Sequence, residues 1–273
     1  MKTKLPYRRL PSDDEADVYD DFVVSDDVAK IRKKLKRTMV DDSRTIQWLD
    51  TGFPHLNAVL GSPSLGLPFG RVYEISGMPS HGKSTLAYEV AGMAQQNNDA
   101  TVTLYDAEST YDPEWTTARG VNVREGFNLI QPYMVKEKVG KGKETRNRLL
   151  DSGEIFEELE ELTSMIYEKD HRLPQVLIVD SIAAMIVPEE AAKHVHEQTL
   201  RENTALSRFL SRLMRRWTPL VRNQNIMMIC INQLREKPGF SFGDPRYTPG
   251  GKSLPFYCTV RARMARVKGG SIP

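Results

Sequence analysis

Apolar and polar positions along this chain fall into blocks of two periods. Short, nearly continuous apolar runs lie at Arg71 to Ile75, Ala100 to Tyr105, Gln175 to Asp180 and Asn225 to Ile231. Runs of this length with so few polar breaks predict strands covered on both faces, as in a parallel sheet. Phe127 to Gln131 predicts a shorter strand. Thr259 to Val267 alternates, with Arg261, Arg263 and Arg266 on its exposed side. Between these runs apolar residues recur every three to four positions. Helices are predicted from Thr85 to Ala94, from Glu154 to Lys169 with Ile155, Leu159, Leu162 and Ile166 on one face, and from Leu206 to Trp217. In the last, Leu206, Phe209, Leu210, Leu213, Met214 and Trp217 form the core stripe. Trp115 to Arg119 predicts a short helix. Strands alternating with helices predict an α/β fold: a mostly parallel, twisted sheet with helices on both faces.

Other stretches lack either period. Residues 1–29 are acidic and poor in large apolar side chains, and Lys30 to Arg37 reverses the sign. Residues 1–45 therefore read as an acidic, then basic arm, partly disordered, ahead of a core at 46–273. The basic part reads equally as an arm docking on a neighbouring subunit and as a solvated helix. Ile46 to Leu60 holds a strand-like IQWLDTG and an amphipathic FPHLNAVLG, and Leu65 to Gly70 is turn-rich. Tyr133 to Gly153, with its run of lysines and glycines, is expected to be an exposed, mobile loop. Leu234 to Gly251 is rich in Gly and Pro, has no periodicity, and is long enough for a functional loop.

Bulk composition changes this picture little. The 273 residues suit one large α/β domain. A net charge of +2 is too balanced to demand a nucleic-acid partner, so any such partner must be argued from local clusters. Two cysteines, Cys230 and Cys258, have no zinc-type spacing and predict no disulfide framework. No apolar run approaches a membrane span and the charged N-terminus is unlike a secretory signal, so a cytoplasmic protein with no membrane association is expected.

The chemistry concentrates in Gly77-Met78-Pro79-Ser80-His81-Gly82-Lys83-Ser84-Thr85, which fits G-x-x-x-x-G-K-[ST] between a predicted strand and a predicted helix. Gly77 and Gly82 let the backbone turn its N–H groups toward phosphate oxygens, and the helix start favours an anion. Lys83 would reach the β- and γ-phosphates of ATP, and Ser84 Oγ would ligate Mg²⁺. Asp180 ends a buried apolar strand, where an open parallel sheet presents its ligand site, and would hold the same ion. His194 and His196 have no carboxylate or cysteine frame around them and are read as outside any metal site. The stripe Arg208, Arg212, Arg215 reads as a solvated face or as a contact to DNA or a neighbouring subunit.

These pieces, in this order, resemble the core of the RecA family of DNA strand-exchange proteins, bacterial and phage branch. The matching segments are GLPFGRVYEI, GMPSHGKSTL, LYDAESTYDPEW, LIVDSIAAM, ICINQLREK and FGDPRYTPGGKSLPFYCTVR, which together span roughly residues 46 to 267. The resemblance implies a RecA-like P-loop NTPase core. It makes Glu108 the catalytic carboxylate that acts on the attacking water. Gln233 is the γ-phosphate sensor, Asp112 the contact to the adenine amino group, Trp115 the ring stacked on adenine, and Asp180 with Ser181 the Mg²⁺-side strand end. Pro188 to about Arg201 resembles the first DNA-binding loop and Leu234 to Gly250 the second. In and beside the second, Arg235, Lys237, Arg246, Gly250, Gly251 and Lys252 are the candidate DNA contacts. Phe240 and Phe242 either stack on bases or close the loop, and Phe256 resembles a subunit-interface aromatic.

The resemblance implies an ATP- and Mg²⁺-dependent, DNA-stimulated ATPase. It would form a homo-oligomeric helical filament on single-stranded DNA and pair it with homologous duplex DNA in recombination and repair. Phage or host recombination mediators would assist it inside a bacterial or phage-infected cell. The sequence departs from the pattern in three places. Tyr133–Gly153 is longer than the family's connection, and Pro238 and Ser241 stand where apolar residues are usual. The strands and C-terminal domain that follow Val267 in the family are not found. A truncated product or half of a split protein is therefore kept as an alternative, acting as a RecA-like regulatory module without strand exchange. A hexameric helicase of the same core is a third reading.

Overall fold

The computed structural model describes residues 46–138, 145–191, 202–236 and 246–266. The predicted arm at 1–45, the histidine pair at 194 and 196, and Lys237, Pro238, Phe240, Ser241 and Phe242 lie outside them. The central sheet has six strands, all parallel: β3 (Arg71–Gly77), β4 (Thr101–Asp106), β5 (Phe127–Ile130), β8 (Gln175–Asp180), β9 (Ile226–Gln233) and β12 (Val260–Met264), ordered β12-β3-β9-β8-β4-β5. Two short strands, β1 (Trp48–Leu49) and β2 (Leu67–Pro68), pair antiparallel beside it.

The period of two along each strand sorts side chains into two cores. Tyr73, Ile75, Val102, Leu104, Val176, Ile178, Met227, Ile229 and Ile231 face helices α1 (Pro54–Leu60) and α2 (Lys83–Asn98). Val72, Tyr105, Leu177, Val179, Met228 and Cys230 face α4 (Ser152–Lys169) and α6 (Glu202–Asn223). Both faces are thus covered, and the continuous apolar runs follow from that. Short helices α3 (Pro113–Ala118), α5 (Pro188–Ala191) and α7 (Ser253–Tyr257) complete the described part.

Helix α2 packs closely because most of its buried face is small, Ala87, Val90, Ala91, Gly92 and Ala94, with Tyr88 the buried aromatic among them. A Cβ on Gly92 would stand 2.6 Å from the backbone carbon of Gly120, so the helix meets that turn only as glycine. Helix α4 starts at Ser152, two residues before the predicted Glu154. Asp151 and Glu154 form a reciprocal capping box that satisfies the first-turn N–H groups. Its buried face is Ile155, Phe156, Leu159 and Thr163, with Leu162 and Ile166 only half-buried. Helix α6 runs past the predicted stop at Trp217 and contains Pro219. Trp217 and Val221, each 1 % exposed, anchor it on both sides of the proline and offset the lost N–H.

The segment predicted to be a mobile loop is different. Met134–Lys138 (β6) and Thr145–Leu149 (β7) pair antiparallel, from Met134 opposite Leu149 to Lys138 opposite Thr145. Backbone pairing needs no apolar side chains, so the lysine-rich composition concealed it. The ribbon is fastened at its base. Val135 packs on the core, Leu150 is buried, Arg148 pairs with Glu154, and the Tyr133 hydroxyl donates to Glu158 at 2.6 Å. Among the described residues no helix is long and apolar enough to cross a membrane.

Candidate nucleotide site and the loop it borders

Strand register brings the predicted site together. Gly77 is the partner of Gln233 across β3–β9, and Asp106 the partner of Asp180 across β4–β8. Four strand ends thus meet along the carboxyl edge of the sheet, where ligands bind in open parallel sheets.

The glycine loop leaves β3 at Gly77 and enters α2 at Lys83. Gly82 holds φ +80, a left-handed conformation that favours glycine, and Ser80 also has positive φ. Pro79 and Ser80 are exposed, Met78 and His81 half-buried. No side chain caps α2 and its first turn has no acidic residue. Its leading N–H groups, beginning at Lys83, Ser84 and Thr85, are therefore not met by side-chain acceptors, which suits a phosphate. The Lys83 ammonium donates to Met78 O at 3.0 Å and so lies across the mouth of the loop. His81 Nδ1 lies 3.3 Å from Met264 O, tying the loop to β12.

Asp180 is 6 % exposed and hydrogen-bonded to Ser84. Burial, reinforced by the neighbouring Glu108 and Asp106, pushes its pKa up to about 6 against the pull of the Ser84 hydrogen bond and Lys83. Ser84 and Asp180 present hard oxygen donors amid concentrated negative charge, the donor set that Mg²⁺ takes. Asp106 itself is buried, and its Oδ2 accepts from Tyr111 N and Gln131 Nε2, both at 2.8 Å.

Glu108 is drawn to the same edge because Ala107 N and Glu108 N both donate to Asp180 O. Its Oε1 accepts from Ser181 Oγ and, at 2.7 Å, from Gln233 Nε2. The predicted catalytic carboxylate and the predicted phosphate sensor are therefore in direct contact. Farther along, Asp112 caps α3: its Oδ1 takes Glu114 N and Trp115 N, each at 2.9 Å. That cap sets the orientation of Trp115. The indole is edge-on to Tyr88 with centroids 5.3 Å apart, and the Arg119 guanidinium lies over it at 5.5 Å.

Gln233 also opens the way to the second loop. Leu234 N donates to Gly77 O at 3.1 Å, and β10 (Arg235–Glu236) then pairs antiparallel with β11 (Arg246–Tyr247). Arg235, Arg246, Gly251 and Lys252 are exposed, whereas Gly250 is buried. A cleft of about 460 Å³ opens here between Arg235, Tyr247, Gly250 and Gly251 on one side and Met185, Glu190 and Ser207 on the other. Phe256 is 82 % exposed on α7. Of the arginine stripe, Arg208 and Arg212 both reach Glu189, and Arg215 donates to Ser211 O.

Sequence reasoning missed a buried polar relay beneath this loop. Glu74, 1 % exposed, accepts from Arg261 Nε at 2.6 Å and from Asn232 Nδ2 at 3.0 Å, and Asn232 Nδ2 also reaches Pro249 O at 3.1 Å. The signal was present: a glutamate inside a strand covered on both faces requires a partner. Tyr88 and Asp106 were likewise given no role of their own in the sequence.

A parallel sheet whose glycine loop, strand-end aspartate and helix start converge in this way defines the P-loop class of α/β folds. Residues 27–270 match the model of the RecA N-terminal domain, and the chain belongs to the RecA family. It is 34 % identical over 225 residues to Protein RecA of Pseudomonas putida, covering 82 % of this chain and 55 % of that protein. It is 30 % identical over 223 residues to Protein RecA of Rhodopirellula baltica, covering 82 % and 52 %. It is 32 % identical over 225 residues to the mitochondrial DNA repair protein recA homolog of Dictyostelium discoideum, covering 82 % and 43 %. The chain spans about half the length of the curated relatives it matches.

Proposed function

We propose that the chain is the ATPase core of a recombinase that binds single-stranded DNA in ATP-dependent filaments and pairs it with homologous duplex DNA. The observation that carries this reading is the contact of Gln233 Nε2 with Glu108 Oε1. It joins the nucleotide site to the strand that runs directly into the second loop. Lys83 counters phosphate charge, and the N–H groups of the glycine loop hold the phosphate oxygens. Ser84 and Asp180 would hold Mg²⁺, which would neutralise phosphate charge, while ATP as substrate brings the phosphoanhydride bond to be broken. Glu108 orients the attacking water and accepts its proton at the carboxylate. The Gln233 amide, now on Glu108, has a competing acceptor once a γ-phosphate is present. Turning to that acceptor pulls on Leu234 and the β10–β11 base. Trp115 stacks on the adenine, positioned by the Asp112 cap. Arg235 lines the cleft beside the second loop, and with Arg246 and Lys252, next in sequence to the cleft residues Tyr247 and Gly251, it supplies phosphate contacts for the strand.

The test is the ATPase rate of the chain with and without single-stranded DNA, for wild type and Glu108→Gln. The expected result is strong stimulation of wild type, with hydrolysis lost in Glu108→Gln while nucleotide binding is retained. Nucleotide binding by wild type without any stimulation would overturn the recombinase reading in favour of a regulatory module.

A further inference from the structure

Strand β9 ends in two polar residues whose side chains lie on opposite faces of the sheet. Gln233 reaches Glu108 at the nucleotide site. Asn232, 0 % exposed, lies on the face of Cys230, toward α4 and α6. It gives its two amide hydrogens to acceptors from different parts of the chain. Nδ2 donates to Glu74 Oε1 on β3 at 3.0 Å and to Pro249 O at 3.1 Å. Turning the amide over would set its oxygen against a carboxylate and a carbonyl, so the two acceptors fix its orientation. The Asn232 Oδ1 is buried and has no hydrogen-bond partner. A buried acceptor left unpaired is unusual in a folded protein and calls for a reason.

Pro249 opens the turn by which the chain returns from the second loop to the core. Gly250 and Gly251 follow it with φ +93 and +69. A Cβ on Gly250 would run into Leu210, and one on Gly251 would stand 2.6 Å from Ser207 Oγ, so the turn lies close against α6. The outgoing end of the loop is held separately, by Leu234 N on Gly77 O at 3.1 Å. Consecutive residues of β9 thus serve the two ends of the loop, Gln233 beside its entry and Asn232 at its return. Behind Asn232, Glu74 is anchored to β12 by Arg261 Nε at 2.6 Å, on the strand that ends in the glycine loop.

From this placement we propose that Asn232 is a positioning residue that carries a displacement of β9 at the nucleotide site to the returning end of the second loop. The proposal rests on the reading above, in which Gln233 turns from Glu108 to the γ-phosphate, and adds the loop's return to that movement. A backbone shift that moves Gln233 moves Asn232 with it, while Glu74, held by Arg261, stays with β3. The hold on Pro249 O weakens, and an N–H of Gly250 or Gly251 passes to the unpaired Oδ1. The amide serves both arrangements because it carries donors and an acceptor together.

The experiment is hydrogen–deuterium exchange of the full chain, with and without a non-hydrolysable ATP analogue and Mg²⁺. Mass spectrometry follows the peptide 246–254 and the glycine-loop peptide, and single-strand binding is measured on the same samples. Wild type is compared with Asn232→Ala, Asn232→Thr and Glu74→Gln. Threonine is close to asparagine in size and suits a strand, so it keeps the fold if alanine does not. Its hydroxyl reaches one acceptor but not both. Glu74→Gln keeps an acceptor for Asn232 while releasing Arg261. In wild type the analogue should slow exchange at 246–254 by about fivefold or more, the size of an ordinary coupling between sites. In both Asn232 variants the effect should fall below about twofold while the glycine loop is still protected, and Glu74→Gln should keep it. An Asn232 variant that raises exchange equally in both states, leaving the ratio as in wild type, overturns the proposal and makes Asn232 a packing residue. Loss of the effect in Glu74→Gln as well also overturns it, because weakening the sheet would then suffice. Wild type that shows the slowing but binds no single-stranded DNA sinks the recombinase reading and leaves the role of Asn232 standing. Wild type whose 246–254 exchange ignores the analogue sinks that role.

Discussion

Asp180 shows how a single buried carboxylate can weaken a fold. Its carboxyl titrates near 6 in the folded chain and near 3.8 when unfolded. Between those values the folded state holds a proton that the unfolded state has released, so stability falls as pH rises through the window. Above it the buried charge costs about 2–3 kcal/mol. Asp180→Asn is therefore expected to be the more stable protein at pH 7.5, by roughly 1–3 kcal/mol, with the difference gone near pH 4. Urea denaturation at the two pH values measures this, and equal stability at pH 7.5 would contradict it. Magnesium nucleotide should reverse the order at pH 7.5, because only the wild type offers a carboxylate. The same titration should weaken magnesium-dependent nucleotide binding below about pH 6.

At the scale of elements, glycines decide how the second loop is seated. Gly250 has φ +93, and a Cβ there would lie 2.4 Å from Leu210 Cδ1 on α6. Gly250→Ala should cost about 1–3 kcal/mol. Its melting temperature should drop by several degrees, and Leu210→Ala should restore only part because the backbone strain remains. A thermal melt matching wild type would refute this. Most elements were legible because each long strand is a run such as QVLIVD and each long helix has a stripe such as Phe209, Leu213 and Trp217. The glycine loop, Asp180, Glu108 and Gln233 could be singled out in the sequence because the chemistry proposed for them needs fixed residue types, and the strand register brings them to one edge. What escaped had no pattern of its own: β6 and β7 pair through backbone alone, Pro219 is overridden by packing, and Gly250 reads in sequence as loop. The contact between Glu108 and Gln233 is a matter of register, which spacing does not reveal.

Across the whole molecule, the relay through Glu74 ties the edge strand β12 to β3, β9 and the foot of the second loop. Arg261→Ala would leave a buried carboxylate without its cation. The expected loss is about 2 kcal/mol, less than the 3–5 of a fully buried pair because the guanidinium is half exposed. Adding Glu74→Gln should recover most of it, and a double-mutant cycle by chemical denaturation measures the coupling. Additive losses would mean that the pair does not bind the sheet together. The strand order has a consequence for the birth of the protein. Both neighbours of β3, namely β9 and β12, come from the last fifth of the sequence. The strand that carries the glycine loop leaves the ribosome roughly 150 residues ahead of its first partner, a wait of about 10–30 s at ordinary translation rates. During that interval its apolar faces have no sheet to join. The nascent chain must be sheltered or kept from its own kind until the last strands arrive.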